Sequence, residues 1–273
     1  FNWKKIILVG VILAVVFFSV GLWFVLRSPA PAPSVSPIVP ASPSALITPS
    51  PSPPTPTPPS ALFNMNKQVT IQLAATEDNL AGQKLGQQFS QSSEPAGSFI
   101  QIIFQITNGE ESCAGLNRVI SMLNLDFFND PISLANATSS YQDAYLQGSQ
   151  SFSLFVYTQA LASASPFTGG QNEGRLGLIV KFKDSADLAG AIKDLKNLEP
   201  SLLKSAGALF LGKDINLSAA DSFSDNIYQG IAIRYLNLPG PELSFDYAIV
   251  ENTLLIATSK ESMYAAIDRV LAK

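Results

Sequence analysis

The chain has 273 residues, with 17 basic and 21 acidic side chains, a single cysteine and no histidine. Without histidine it lacks the commonest general base and the commonest neutral metal ligand, which excludes Ser-His and Cys-His catalytic arrangements. Cys113 alone can form neither an internal disulfide nor, without histidine, a structural zinc site, so the sequence predicts no cofactor.

Residues 1–5 form a short stub that carries Lys4 and Lys5. The run from Ile6 to Leu26, IILVGVILAVVFFSVGLWFVL, contains no charged residue. At ~1.5 Å per residue it spans roughly 31 Å, the thickness of a bilayer's hydrocarbon core, and it predicts a transmembrane helix with the lipid bilayer as its partner. Trp23 suits the outer interface. Two lysines before the span against Arg27 after it place the N-terminus in the cytoplasm and everything beyond the span outside the cell. The apolar block exceeds a signal peptide's hydrophobic region, and no lipoprotein cysteine follows it, so a retained signal anchor is expected. Lys5 and Pro29 argue against a pilin, and Phe1 is read as a truncated start.

Residues 27–60 form a Pro/Ser/Thr-rich stalk. Thirteen of the chain's 19 prolines lie between Ser28 and Ser60, and residues 28–66 carry no charge. Proline fixes φ and lacks a donor, so this disordered linker leans to polyproline II and reaches at most ~100 Å at ~3.1 Å per residue. A docking site for proline-binding domains is the lesser reading.

Residues 61–273 have a globular mixture and form the extracytoplasmic domain, read as one unit or as halves 61–150 and 151–273. Setting aside Lys4, Lys5 and Arg27, it holds 14 basic against 21 acidic residues, a net of −7. An acidic domain with no basic stripe is unsuited to nucleic acid. Periodicity predicts strands over 69–73, 99–106, 151–157, 175–182, 227–236, 243–250 and 253–258. It predicts helices over 77–90, 112–123, 185–198, 201–211 and 260–271, with 124–150 and 158–173 as loops. Pro239-Gly240 and Glu251-Asn252 are turns. The expected fold is α+β, an antiparallel sheet with helices packed on one face. Leu178-Ile179 runs through Lys183-Asp184-Ser185 into a helix, and Leu255-Ile256 runs through Lys260-Glu261-Ser262 into another. Duplicated ferredoxin-like units would give this echo, and so would any two capped strand–helix junctions.

The last helix carries Met263, Ala266, Ile267, Val270 and Leu271 at i, i+3, i+4, i+7 and i+8, one apolar stripe for a structural helix. Thr258 and Glu261 read as its capping box. Arg234 and Asp246 are expected to pair across the Pro239-Gly240 turn if its loop has an odd number of residues.

Ile233-Arg234-Tyr235-Leu236-Asn237, Phe245-Asp246-Tyr247-Ala248-Ile249 and the segment from Leu255 to Met263 resemble a recurring tail. It is that of uncharacterised membrane-anchored proteins predicted in ultra-small uncultivated bacteria, and it is more distantly similar to bacterial cell envelope proteins of unassigned function. The resemblance covers roughly residues 97–273 and the anchor–stalk layout. It implies an envelope setting and carries over no catalytic residue.

The sharpest catalytic pattern is Ser201-Leu202-Leu203-Lys204 followed by Ser224-Asp225-Asn226, as in penicillin-binding enzymes. The K-[ST]-G strand is absent and the spacing is too short, so no such chemistry is expected. A glycosidase would need two carboxylates across a cleft, and Glu110, Glu111, Asp126, Asp130, Asp184 and Asp187 read instead as solvated caps and loops. Neither Asn129-Asp130 nor Asp184 to Asp187 has calcium-loop spacing, and Gly169-Gly170 reads as a loop. Cys113 is placed on an apolar helix face with Leu116, Val119, Ile120 and Leu123, as a core thiol. No catalytic, cofactor-binding or metal residue is therefore assigned. The expected function is a non-enzymatic envelope module that binds a partner, an envelope protein or wall component, or assembles. The alternative is an extracytoplasmic hydrolase of cell-wall polymer.

Overall fold

The computed structural model describes residues 58–273 except 91, 108–110, 135–136, 149, 161–171, 214, 216–221, 241 and 273. The expected transmembrane run, most of the stalk, Glu110 and Gly169-Gly170 lie outside the described residues. Among the described residues no helix is long and apolar enough to cross a membrane.

A strand β1 (Lys67–Ala74) leads through a 3-10 turn into helix α1 (Ala81–Phe89) and then β2 (Phe99–Thr107). The short β3 (Glu111–Cys113), α2 (Leu116–Met122), the hairpin of β4 (Pro131–Leu134) and β5 (Ala137–Ser140), and α3 (Tyr141–Tyr145) follow. The long strands β6 (Phe152–Ala160) and β7 (Asn172–Lys181) precede helices α4 (Leu188–Asn197) and α5 (Glu199–Ser205). The chain ends in a meander, β8 (Ser224–Tyr228), β9 (Ile231–Asn237), β10 (Ser244–Val250) and β11 (Thr253–Ala257), then α6 (Lys260–Leu271).

Apart from the β4–β5 hairpin, these strands form one sheet in the order β1-β2-β6-β7-β11-β10-β9-β8, with β3 beside β2. Strands from both sides of residue 150 pair in it, Phe99 opposite Tyr157. The class is α+β as expected, but the sheet is mixed, because α1 carries the chain from β1 to a parallel β2, Ile71 opposite Phe104. A crossover helix permits parallel pairing where a tight hairpin cannot.

The central strands decide the layering. β6, β7 and β11 bury nearly every residue, so the sheet is covered on both sides. Phe152, Leu154, Val156, Leu176, Leu178 and Val180 face a large core built with α1 to α5. Phe155, Tyr157, Ile179, Leu255 and Ala257 face a smaller core closed by α6 and Phe63. Helices therefore lie on both faces, not one. An apolar side chain that leaves water is worth ~1.5–3 kcal/mol, and strands with no polar face cannot leave either side bare. The two strand–helix echoes end on opposite faces, α4 against the large core and α6 against the small one, so they do not form a ferredoxin-like repeat.

The last residues of the proline-rich run belong to the packed unit. Phe63 meets Phe99 edge-on at 5.0 Å between ring centroids and Phe155 at 5.4 Å. Gln101 Nε2 donates to the Pro59 carbonyl at 3.0 Å, and the Leu62 amide donates to Ser153 Oγ at 2.9 Å. Arg269 of α6 donates to the Asn64 carbonyl at 2.6 Å while its guanidinium lies 4.9 Å from the Phe99 ring centre.

Local differences from the sequence expectation have plain causes. The predicted strand over 227–236 is two strands, turned at Gln229-Gly230 with φ of 47° and 79°, the left-handed pair of a type I′ hairpin. The helix over 112–123 starts only at Leu116, and Cys113 sits on β3 opposite Gln105, half-buried rather than on a helix face. Partial burial raises its thiol pKa. The loop region 124–150 contains β4, β5 and α3, and β6 runs on to Ala160.

The loop between β9 and β10 runs from Leu238 to Leu243, six residues, an even number. Arg234 is therefore opposite Tyr247, and Asp246 opposite Tyr235, on the other face. The expected Arg234–Asp246 pair does not exist. Arg234 instead forks onto Glu199 of α5 through two bonds of 2.8 Å and reaches Asp225 at 3.0 Å. Tyr247 Oη also donates to Glu199, at 2.7 Å.

Helix α6 has the bounds expected, with a shifted cap. Ser259 is the N-cap, its Oγ accepting from the Ser262 amide, while Thr258 Oγ1 donates to the Leu176 carbonyl at 2.9 Å. Met263, Ala266, Ile267 and Val270 are buried, but Leu271 is 39% exposed. Ile267→Asp should cost several kcal/mol by burying an unpaired charge, whereas Leu271→Asp should stay near the parent in chemical denaturation. Equal midpoints for the two variants would contradict this seating of α6.

Candidate functional site

The same register that separates Arg234 from Asp246 builds a polar cleft on the smaller-core side. Ile233, Tyr235 and Asn237 of β9 and Ser244 and Asp246 of β10 alternate onto one face, with Asn226 of β8 beside them. The first turns of α6 bring Lys260, Glu261 and Tyr264 over this face. Two adjoining cavities result, of about 420 Å³ and about 230 Å³, which share Asn237, Ser244, Lys260 and Tyr264. The larger is also bordered by Gln159, Glu242 and Leu243, and the smaller, more enclosed one by Asp246 and Tyr235.

The walls are held by a polar framework. Ser259 Oγ donates to Gln159 Oε1 at 2.6 Å, and Gln159 Nε2 donates to Glu242 Oε2. Tyr157 Oη donates to Glu261 Oε1 at 2.7 Å, which ties the first turn of α6 to β6. Asn226 Nδ2 donates to Tyr264 Oη at 2.6 Å, and the Tyr228 ring stacks on Tyr264 at 3.9 Å and 8°. Lys260 Nζ lies 5.4 Å from the Tyr264 ring centre. A cation in the first turn of a helix opposes the helix dipole, so Lys260 is not placed there for helix stability.

At the bottom of the cleft two buried polar atoms lack a well-formed hydrogen bond. Asp246 is 2% exposed and Ser244 4% exposed, and although the Ser244 hydroxyl is close enough to favour the Asp246 carboxylate, neither Asp246 Oδ1 nor Ser244 Oγ meets hydrogen-bond geometry with a protein partner. Buried polar atoms are nearly always paired, and leaving one unpaired costs roughly 1–3 kcal/mol. Burial pushes the Asp246 carboxyl up to about 7, and the nearby Ser244 hydroxyl and Lys260 ammonium offset only part of that rise. Such a perturbed carboxyl in a cleft is a candidate functional group.

The structure brings four of the residues singled out in the sequence together, away from this cleft, and scatters the others. Ser201 and Lys204 line a separate cavity of about 400 Å³ with Asp126 and Asp130. In the Ser224-Asp225-Asn226 run, Asp225 faces the α5 side and pairs with Arg234 and with Lys196 at 3.7 Å, while Asn226 faces Tyr264 across the sheet. Asp187 caps α4 by accepting from the Ala189 amide, and Asp184 is an exposed partner of Lys181 at 3.7 Å. Among the described residues no group of three His, Cys, Asp or Glu side chains could hold a metal ion. The signal for Asp246 was present: a lone acid inside the apolar run Phe245-Asp246-Tyr247-Ala248-Ile249-Val250, on the face of its strand that also carries Ala248 and Val250.

Asp246 makes stability depend on pH in a calculable direction. The folded state keeps its proton up to about pH 7, whereas the unfolded chain releases it near 4. Between those values folding must take a proton up, so this group's contribution falls as pH rises and levels off above 7, a total on the order of 4 kcal/mol. Asp246→Asn should therefore gain on the parent steadily from pH 4 to 7 in urea unfolding. Parallel pH profiles for parent and variant would contradict the burial of an ionisable group there. Comparison with known protein families, with characterised proteins and with solved structures finds no match to this chain.

Proposed function

We propose that the chain is a single-pass envelope protein that displays a non-enzymatic binding module outside the cell on a proline-rich stalk. The anchor and orientation rest on the uncharged run from Ile6 to Leu26 and its flanking lysines. Binding rests on one observation, the unpartnered Asp246 Oδ1 at the floor of a cleft rich in amides and hydroxyls. A site whose own polar groups are left unpaired is completed by a ligand that pairs them. The larger cavity, about 420 Å³, falls in the roughly 300–1,000 Å³ range of small-molecule sites.

The hydrolase reading has two observations in its favour: Asp246, Glu242 and Glu261 border the joined cavities, and Asp126 and Asp130 line a second cavity with Ser201 and Lys204. A glycosidase needs a free carboxylate facing its acid, and Glu242 and Glu261 are instead held by Gln159 and Tyr157. Protease added outside intact cells should cut the stalk and release a fragment containing residues 67–273. Protection until the membrane is permeabilised would contradict the topology. Soluble fragments released from purified wall polymer by the parent, and not by Asp246→Asn, would replace the binder with the hydrolase.

A further inference from the structure

We infer that the cleft takes a neutral polyhydroxylated ligand, a saccharide unit, with one of its hydroxyls seated on Asp246 and Ser244; this rests on the cleft being a binding site. Seven of the eight residues that line the smaller cavity carry a hydrogen-bonding side chain, and Ile233 is the exception. Small-molecule sites are ordinarily lined mostly by apolar groups with a few polar ones, so a lining this polar suits a ligand with little apolar surface.

The groups left unspent are of both kinds. Asp246 Oδ1 offers an acceptor and Ser244 Oγ an acceptor or a donor. Tyr264 Oη accepts from Asn226, so its own hydrogen is free to point into the cleft. Lys260 contributes an ammonium donor. Hydroxyl groups both donate and accept, and adjacent hydroxyls on a sugar ring can satisfy such a mixed row without any one fixed order.

Charge argues the same way. The smaller cavity contains one carboxyl and one ammonium, Asp246 and Lys260. A cationic ligand meets Lys260 and a carboxyl that burial keeps largely protonated below neutrality. An anionic ligand meets Glu242 and Glu261, which line the adjoining larger cavity. A neutral ligand pays neither desolvation of its own charge nor like-charge repulsion.

The full chain in lipid nanodiscs can be titrated with four probes: cellobiose, N,N′-diacetylchitobiose, glucosamine as a cation and glucuronate as an anion. At least one neutral disaccharide should bind and perturb the signals of Asp246, Ser244 and Tyr264. Asp246→Asn and Ser244→Ala should each weaken it about tenfold. Ser244 Oγ has no well-formed hydrogen bond to lose, so the Ser244→Ala variant retains the fold and keeps the test valid if Asp246→Asn is unstable. Tighter binding of glucosamine or glucuronate at these residues would overturn the neutral ligand and keep the binding site. Silence from all four probes at the cleft would overturn the saccharide and count against the binding site itself. Neutral binding that neither variant weakens would place the ligand elsewhere and overturn the inference.

Discussion

Three adjacent strands with no face for water, β6, β7 and β11, govern this molecule. A sheet whose centre is apolar on both sides must be covered on both sides, and the chain supplies two unequal covers. Helices α1 to α5 fill one side with a core that reaches from Ile71 to Phe245. The other side has α6 and the segment around Phe63, a smaller core that runs from Phe99 to Ile233 with Tyr228 and Ile231 packed against its edge. Beside the first turns of α6 the lining of β9 and β10 turns polar, and the cleft opens there.

Two ionisable residues one strand apart show how register decides what a side chain meets. Arg234 faces the large core, where Glu199, Asp225 and the Tyr247 hydroxyl surround it and the Phe223 ring lies 5.9 Å away. Every contact there is complementary, and the network fastens α5 to the edge of the sheet. Asp246 faces the other way, where the Ser244 hydroxyl and the Lys260 ammonium offset only part of the cost of its burial. Such an incompletely compensated acid among core residues is what motivates the proposal that the cleft binds a ligand.

Much of this was legible in the residues. The bounds of α6 follow from a strong 3.6 period, and β6, β7, β10 and β11 follow from apolar runs between turn signals. The faces were not legible, because a run such as Phe152 to Tyr157 carries large apolar residues in both registers, Phe152, Leu154 and Val156 in one and Phe155 and Tyr157 in the other, and does not say which side a helix covers. The parallel β1–β2 pair was hidden for a related reason: pairing partners distant in sequence leave no local mark. The site failed on one residue of loop parity, since six residues rather than five between β9 and β10 turned Asp246 from an imagined salt bridge into the floor of a cleft. The Gln229-Gly230 hairpin was missed because Gln ordinarily disfavours the positive φ it adopts there.

The cleft is built over a buried carboxyl that desolvation holds well above the ordinary aspartate value. Titration of the Asp246 side-chain carbon by NMR, in the protein labelled with ¹³C-aspartate and assigned through Asp246→Asn, reads this out, with a midpoint expected at about 7. A midpoint near or below 4, as for a solvated or paired aspartate, would show that the carboxyl is not desolvated there.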